Sequence, residues 1–285
     1  MDIIINELSL HGQFPDSKSF WESGAPSLKN TIEDAFAHGF KYMYKRGDLY
    51  SAMVTVNKSF YTVLTEPESR IIDEAKRYKS FMARAINNPF WDMEPVQDEN
   101  INYRIGDTDL GGTSIAEAAA RSAYLISFIN SNYTNHPITI TQNDESVLLS
   151  NIWQSGQLYA ILFESNQLSL ADYIKERFKD GKLNFDQIDE KNGFSLIVPE
   201  NQYEFIDSFR KFHELSWQAI SIDKGLDYKD YKKNKKSKRY FSDQLWKKGI
   251  KKFRVTQRNR CFGYVENSVF HVLRFDVDHE LSDVR

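Results

Sequence analysis

Charge in this chain is segregated rather than mixed. Residues 224–260 hold fifteen Lys and Arg against three acids, Asp227, Asp230 and Asp243, a net of +12. The other 248 residues hold 22 basic and 37 acidic side chains, so the overall −3 conceals a high-contrast dipole. Such a run is either a phosphate-binding surface or a solvated loop docked on the acidic remainder. Five aromatics, Tyr228, Tyr231, Tyr240, Phe241 and Trp246, interleave with the cations. That interleaving predicts a single-strand RNA or DNA site, in which cations neutralise phosphates and rings stack on bases. The binding residues it nominates are Lys232, Lys233, Lys235, Lys236, Lys238, Arg239, Lys247, Lys248, Lys251, Lys252 and Arg258. RNA is favoured over DNA as the partner, and the acidic body confines binding to one face.

Composition narrows the remaining classes. With 41% hydrophobic and 14% aromatic residues, 285 residues supply a core for one large or two small domains. A single cysteine, Cys261, allows no internal disulfide and is no basis for a zinc or iron–sulfur site. No apolar run approaches the roughly 20 residues that span a bilayer, and the opening MDIIINELSLHGQF lacks the basic region of a signal peptide. The expectation is a soluble cytoplasmic protein with no membrane partner, no metal and no cofactor.

The pattern along the chain predicts an α+β fold in three lobes: an N-terminal lobe over 1–100, a central lobe over 101–222 and a basic module over 223–285. Residues 2–10 read as a first strand, 26–45 as a helix, 50–64 as a hairpin and 68–86 as a helix. Residues 87–111 read as a surface connection anchored by Phe90 and Trp91. Ser114 followed by Glu117 fits a capping box that opens a buried, alanine-rich helix running to Ile129. Further strands are expected at 137–141, 147–149, 157–163 and 194–198, and helices at 168–179 and 203–216.

Past the basic run, KKFRVTQ, RCFGYVE and SVFHVLRFD read as an antiparallel three-stranded unit, with Asn267 suited to a tight turn. Alternation puts Lys252, Arg254, Thr256 and Arg258 on one face of the first strand, opposite Phe253, Val255 and Gln257. On the last strand it groups Val269, His271, Leu273 and Phe275 against Phe270, Val272, Arg274 and Asp276.

The segment KKFRVTQRNRCFGYVENSVFHVLRFDVDHEL resembles the C-terminal strands of the RelE/YoeB superfamily of bacterial toxin ribonucleases. The resemblance implies metal-free RNA cleavage, in which a ribose 2′-OH attacks the adjacent phosphate. By position it implies Arg254, Arg260 and Arg274 as phosphate-stabilising residues, His279 as the acid/base and His271 as its second candidate. Those toxins are much shorter, so the N-terminal two thirds is foreign to them. INELSLHGQF, NPFWD and AEAAARSAYLISF look similar to uncharacterised bacterial proteins associated with anti-phage defence loci, which would imply a defence role and a partner protein.

Other constellations are weaker. Asp276, Asp278, His279 and Glu280 could hold a divalent cation or simply form an Asp-rich turn. Gly106, Gly111 and Gly112 precede a helix but lack a phosphate-loop pattern. Cys261 reads as a buried, inert thiol. The resemblance puts first a nucleic-acid-binding effector of a bacterial defence or toxin–antitoxin type system that acts as a metal-independent endoribonuclease; the alternative is a non-catalytic nucleic-acid-binding or adaptor subunit of an anti-phage defence complex. A third reading gives the basic run to a protein partner.

Overall fold

A computed structural model describes residues 1–67, 76, 78–82, 89–129, 132–135, 137–235, 237–278 and 281. The chain is α+β and forms two compact units, Met1–Ile161 and Leu162–Arg285. The three-lobe division at 100 and 222 is therefore redrawn. Residues 162–222 belong with the basic segment because their strand and helices complete its sheet. The helix expected over 68–86 falls largely outside the described residues.

The first unit is built on a parallel sheet with order β10-β7-β1-β2: β1 is Asp2–Ile5, β2 Tyr42–Tyr44, β7 Tyr124–Ile126 and β10 Asn151–Ile152. Ile3, Ile4 and Ile5 are all buried, so β1 is covered on both faces, which explains its unbroken β-branched run. The helix Ala25–Ala37 joins β1 to β2, and it ends earlier than the helical reading of 26–45 because residues 42–44 enter the sheet. The expected hairpin at 50–64 is short: β3 (Met53–Thr55) pairs with β4 (Lys58–Ser59), and a helix follows at Phe60–Thr65.

The alanine-rich helix is Ser114–Arg121 alone. Ser122 takes a left-handed φ of 53° and ends it, and residues 124–126 become β7 instead. Thr113 caps the helix through its side chain, so the Ser114 capping box does not form. Glu117 instead accepts from the backbone N–H groups of Val96 (2.9 Å) and Gln97 (3.1 Å) and pairs with Arg121. Trp91 is buried as expected, its indole donating to Ser114 Oγ at 2.9 Å. A second sheet, β6-β5-β8-β9, comprises β5 (Tyr103–Ile105), β6 (Thr108–Asp109), β8 (Ile138–Gln142) and β9 (Glu145–Leu149). Residues 157–163 lie in a helix, Ser155–Glu164, and 194–196 form a 3₁₀ turn, where strands were expected.

The second unit holds a five-stranded sheet, β11-β15-β14-β13-β12. The expected meander is its centre: β13 (Lys251–Arg254), β14 (Arg260–Glu266) and β15 (Val269–Asp276) pair antiparallel. β12 (Lys229–Asp230) adds an edge, and β11 (Leu183–Asn184) pairs parallel to β15. The helix Gln202–Glu214 lays Phe205, Phe209 and Phe212, spaced for one helical face, against Phe253, Phe270 and Phe275. Burying each such ring contributes about 1.5–3 kcal/mol.

One irregularity decides which β15 side chains share a face. Phe262 pairs with Arg274 but Gly263 pairs with Val272, so Leu273 is the extra residue of a bulge. A Cβ on Gly263 would lie 2.1 Å from the His271 carbonyl oxygen, so only glycine fits opposite the bulge. Phe275 consequently joins Phe270 and Val272 on the helical side. His271, Leu273, Arg274 and Asp276 take the other side, where His271 meets Tyr264 and Arg274 meets Tyr240. Strict alternation across β15 is overturned at that point.

Candidate nucleic-acid interface

The face of the sheet opposite the helices is covered by residues 231–250, the core of the basic run. Tyr231, Phe241 and Ile250 are buried against Phe262, Tyr264 and Leu273, with Tyr240, Leu245 and Trp246 packed around them. Local bonds fix this cover. Ser237 N donates to Asn234 Oδ1 at 2.8 Å, and Asn234 N returns a bond to Ser237 Oγ at 2.8 Å. Ser242 caps the short helix Asp243–Lys247 by accepting from Leu245 N, and Lys233 pairs with Asp243. Tyr231 Oη donates to the Leu281 carbonyl at 3.0 Å.

Because the apolar side chains face the sheet, the cations face water. Lys232, Lys233, Lys235, Lys238, Arg239, Lys247 and Lys248 are exposed, as is Arg258 in the β13–β14 turn. Lys236 lies outside the described residues. All three acids of the run are already engaged: Asp227 with Lys229 (2.7 Å), Asp230 with Lys251, and Asp243 with Lys233. The one further carboxylate in the ion pairs of residues 224–260, apart from these, is Glu266, 3.1 Å from Lys248 among the described residues. Hydrogen bonds to Tyr264 and then Glu266 push the Lys248 ammonium up.

The aromatics do not form a stacking platform. Tyr231 stacks on Trp246 (centroids 5.8 Å, 24°) and meets Phe262 edge-on at 4.8 Å. Phe241 meets Trp246 edge-on at 5.4 Å. Tyr228 packs on the helical side, against Phe212, Trp217 and Phe270. Tyr240 lies under the Arg239 and Arg274 guanidiniums, at 4.9 and 5.3 Å. The rings that alternate with lysines are the module's own core, because a short, highly charged segment needs apolar anchors to be held on a sheet.

The proposed catalytic residues are divided. Arg254 and Arg260 stand directly opposite in the β13–β14 ladder, and Arg260 in turn faces Asp276 in β15. Arg254 reaches Asp227 at 3.5 Å, whereas Arg260 donates to the carbonyls of Thr256, Gln257 and Asn259 at 3.1–3.2 Å. Burial, followed by the Arg254 charge, lowers the Arg260 guanidinium below its ordinary range. Lys252, on the same face, is lowered by burial and then by Lys229 and Arg260.

His271 lies elsewhere. It stacks on Tyr264 at 4.9 Å and 14°, and Tyr264 donates to Gln187 Oε1 at 3.0 Å. Tyr264 is four positions along β14 from Arg260, about 13 Å of strand. Arg274 sits between them, donating to Asn192 Oδ1 at 2.7 Å. His279 and Glu280 lie outside the described residues, and Asp276 accepts from Leu281 N at 3.3 Å. Cys261 is buried, and burial pushes its thiol up.

Asn192, Tyr264 and Gln187 escaped the sequence reading, which counted Asp227 only as an acid of the basic run and not as a partner of Arg254. Tyr264 was findable: counting outward from the Asn267–Ser268 turn places it opposite His271. Asn192 and Gln187 are brought in by the loop after β11, which leaves no local signal. Among the described residues no group of three or more His, Cys, Asp or Glu could hold a metal ion. No helix among them is long and apolar enough to cross a membrane. Compared with protein-family models, curated proteins and solved structures, the chain matches none.

Proposed function

We propose that this protein binds nucleic acid through the phosphate backbone, using the lysine-rich surface of residues 231–258, and that it acts as a binding or adaptor component rather than through its own catalysis. The observation that carries this reading is the engagement of all three acids of the run while Lys232, Lys235, Lys238 and Lys247 stand exposed on a folded cover. Unmatched cations fixed on one surface attract a polyanion and release its counterions on binding. His271, the second acid/base candidate, is set apart from the Arg254–Arg260 row, and a proton donor must reach within about 3 Å of the reacting oxygen, so His271 does not complete a cleavage site on that row.

One observation favours a second reading. Like charges directly opposite in a ladder are destabilising, and the facing Arg254 and Arg260 would be relieved by an anion between them. A scissile phosphate is such an anion, and metal-free RNA cleavage would use both arginines to stabilise its developing charge.

The test is incubation of the full chain with labelled RNA and DNA, in EDTA and in Mg²⁺, following retention and cleavage together. Salt-sensitive retention without cleavage is expected. EDTA-resistant RNA cleavage would transfer the assignment to the second reading, and absence of both would leave the surface to a protein partner.

A further inference from the structure

We infer that the nucleic acid taken by this face is a duplex, held by its two phosphate backbones and not by its bases. The inference rests on the backbone-binding reading above and narrows its substrate. Single-strand sites combine a cationic track with rings on which unpaired bases stack. Here each of the five interleaved rings is engaged: Tyr231, Phe241 and Trp246 with one another, Tyr228 with Phe212 and Phe270, and Tyr240 with two guanidiniums. Among the described residues of this unit the exposed aromatic is Tyr203, on the helix Gln202–Glu214 that packs on the sheet's opposite face.

The side chains left to meet a ligand are chiefly lysines. An ammonium is a compact point charge on a flexible stem that suits any phosphate, whereas the rigid guanidinium fork adds the directional, bidentate geometry that favours recognition of a particular edge. A ring-poor lysine surface therefore rewards charge density and rigidity. A duplex carries one phosphate charge per roughly 1.7 Å of axis and is already ordered, while a single strand is less dense and loses freedom when it is held.

The experiment uses the full chain and four labelled 20-mers of one mixed sequence: single-stranded RNA, single-stranded DNA, duplex RNA and duplex DNA, titrated by fluorescence anisotropy at about 0.1 M salt. Both duplexes should bind roughly tenfold tighter than either single strand, and a change of base composition should alter duplex affinity by less than about twofold. Replacing Lys232, Lys235, Lys238 and Lys247 together by Glu should abolish duplex binding with the thermal transition unchanged, because all four are exposed. Equal or tighter single-strand binding, or strong base dependence, would overturn the duplex inference while leaving the backbone-binding reading intact. Retention of none of the four probes at low salt would overturn that reading itself, and with it the inference.

Discussion

Arg254 and Arg260 face each other across the β13–β14 ladder, two cations on neighbouring strands with Asp227 and Asp276 as their nearest counter-charges. Arg260 is held by three turn carbonyls, whereas the side-chain contact of Arg254 among the described residues is a 3.5 Å pair with Asp227. Arg254→Gln should therefore leave thermal stability unchanged or slightly raised. It should also weaken nucleic-acid binding a few-fold and reduce the salt slope by about 1, the effect of one lost phosphate contact. Anisotropy titrations at three salt concentrations, with a parallel melt, would check both.

Gly263→Ala tests the bulge. The added methyl would meet the His271 carbonyl and the Phe270 ring, neither of which can move without opening the sheet. A loss of about 3 kcal/mol is expected in urea unfolding of the full chain, at the upper end of ordinary overpacking. Loss below about 1 kcal/mol would mean the β14–β15 register relaxes freely.

Phe241→Ala and Tyr203→Ala separate core rings from exposed ones. Phe241 is buried beside Trp246 and Phe262, so its truncation should cost about 3–5 kcal/mol and loosen the basic cover. Tyr203 is 58% exposed, and its truncation should change neither stability nor nucleic-acid affinity. An unfolded-like cover with undiminished affinity in Phe241→Ala would show that the lysines bind without being held in place.

Lys45 gives a pH signature to the first unit. It is 1% exposed, its ammonium 5.5 Å from the Phe90 ring centroid, and burial lowers its pKa to about 8. The unfolded chain keeps lysine near 10.5, so between about pH 8 and 10.5 the unfolded state binds the extra proton and this residue's contribution to stability rises with pH. Below pH 8 both states are charged and its contribution is level. Lys45→Met should raise stability at neutral pH by about 3 kcal/mol and flatten that rise. Urea unfolding at pH 7, 8, 9 and 10 measures it.

The meander was legible because KKFRVTQ, RCFGYVE and SVFHVLRFD carry β-rich residues and a turn residue at Asn267, all signals local to the chain. The parallel sheet was not, since β1, β2, β7 and β10 are two to four residues long and are assembled across more than a hundred positions. Within the site, position and charge were readable but the role of the rings was not. A lysine-flanked Tyr or Trp has the same local pattern whether it faces a base or a sheet, and Tyr231 and Phe241 pack on Phe262, 31 and 21 positions further along the chain. The break in β15 had one warning in the sequence: Gly263, a glycine inside a strand pattern.

The most direct test of backbone binding is the dependence of duplex affinity on salt, measured from about 50 to 200 mM for the full chain. Each phosphate neutralised contributes about −0.9 to the slope of log K against log salt, and the exposed lysines predict a slope of about −4 or steeper, made shallower when Lys232, Lys235, Lys238 and Lys247 are neutralised. An affinity that does not change with salt would contradict the account and assign the surface to a protein partner.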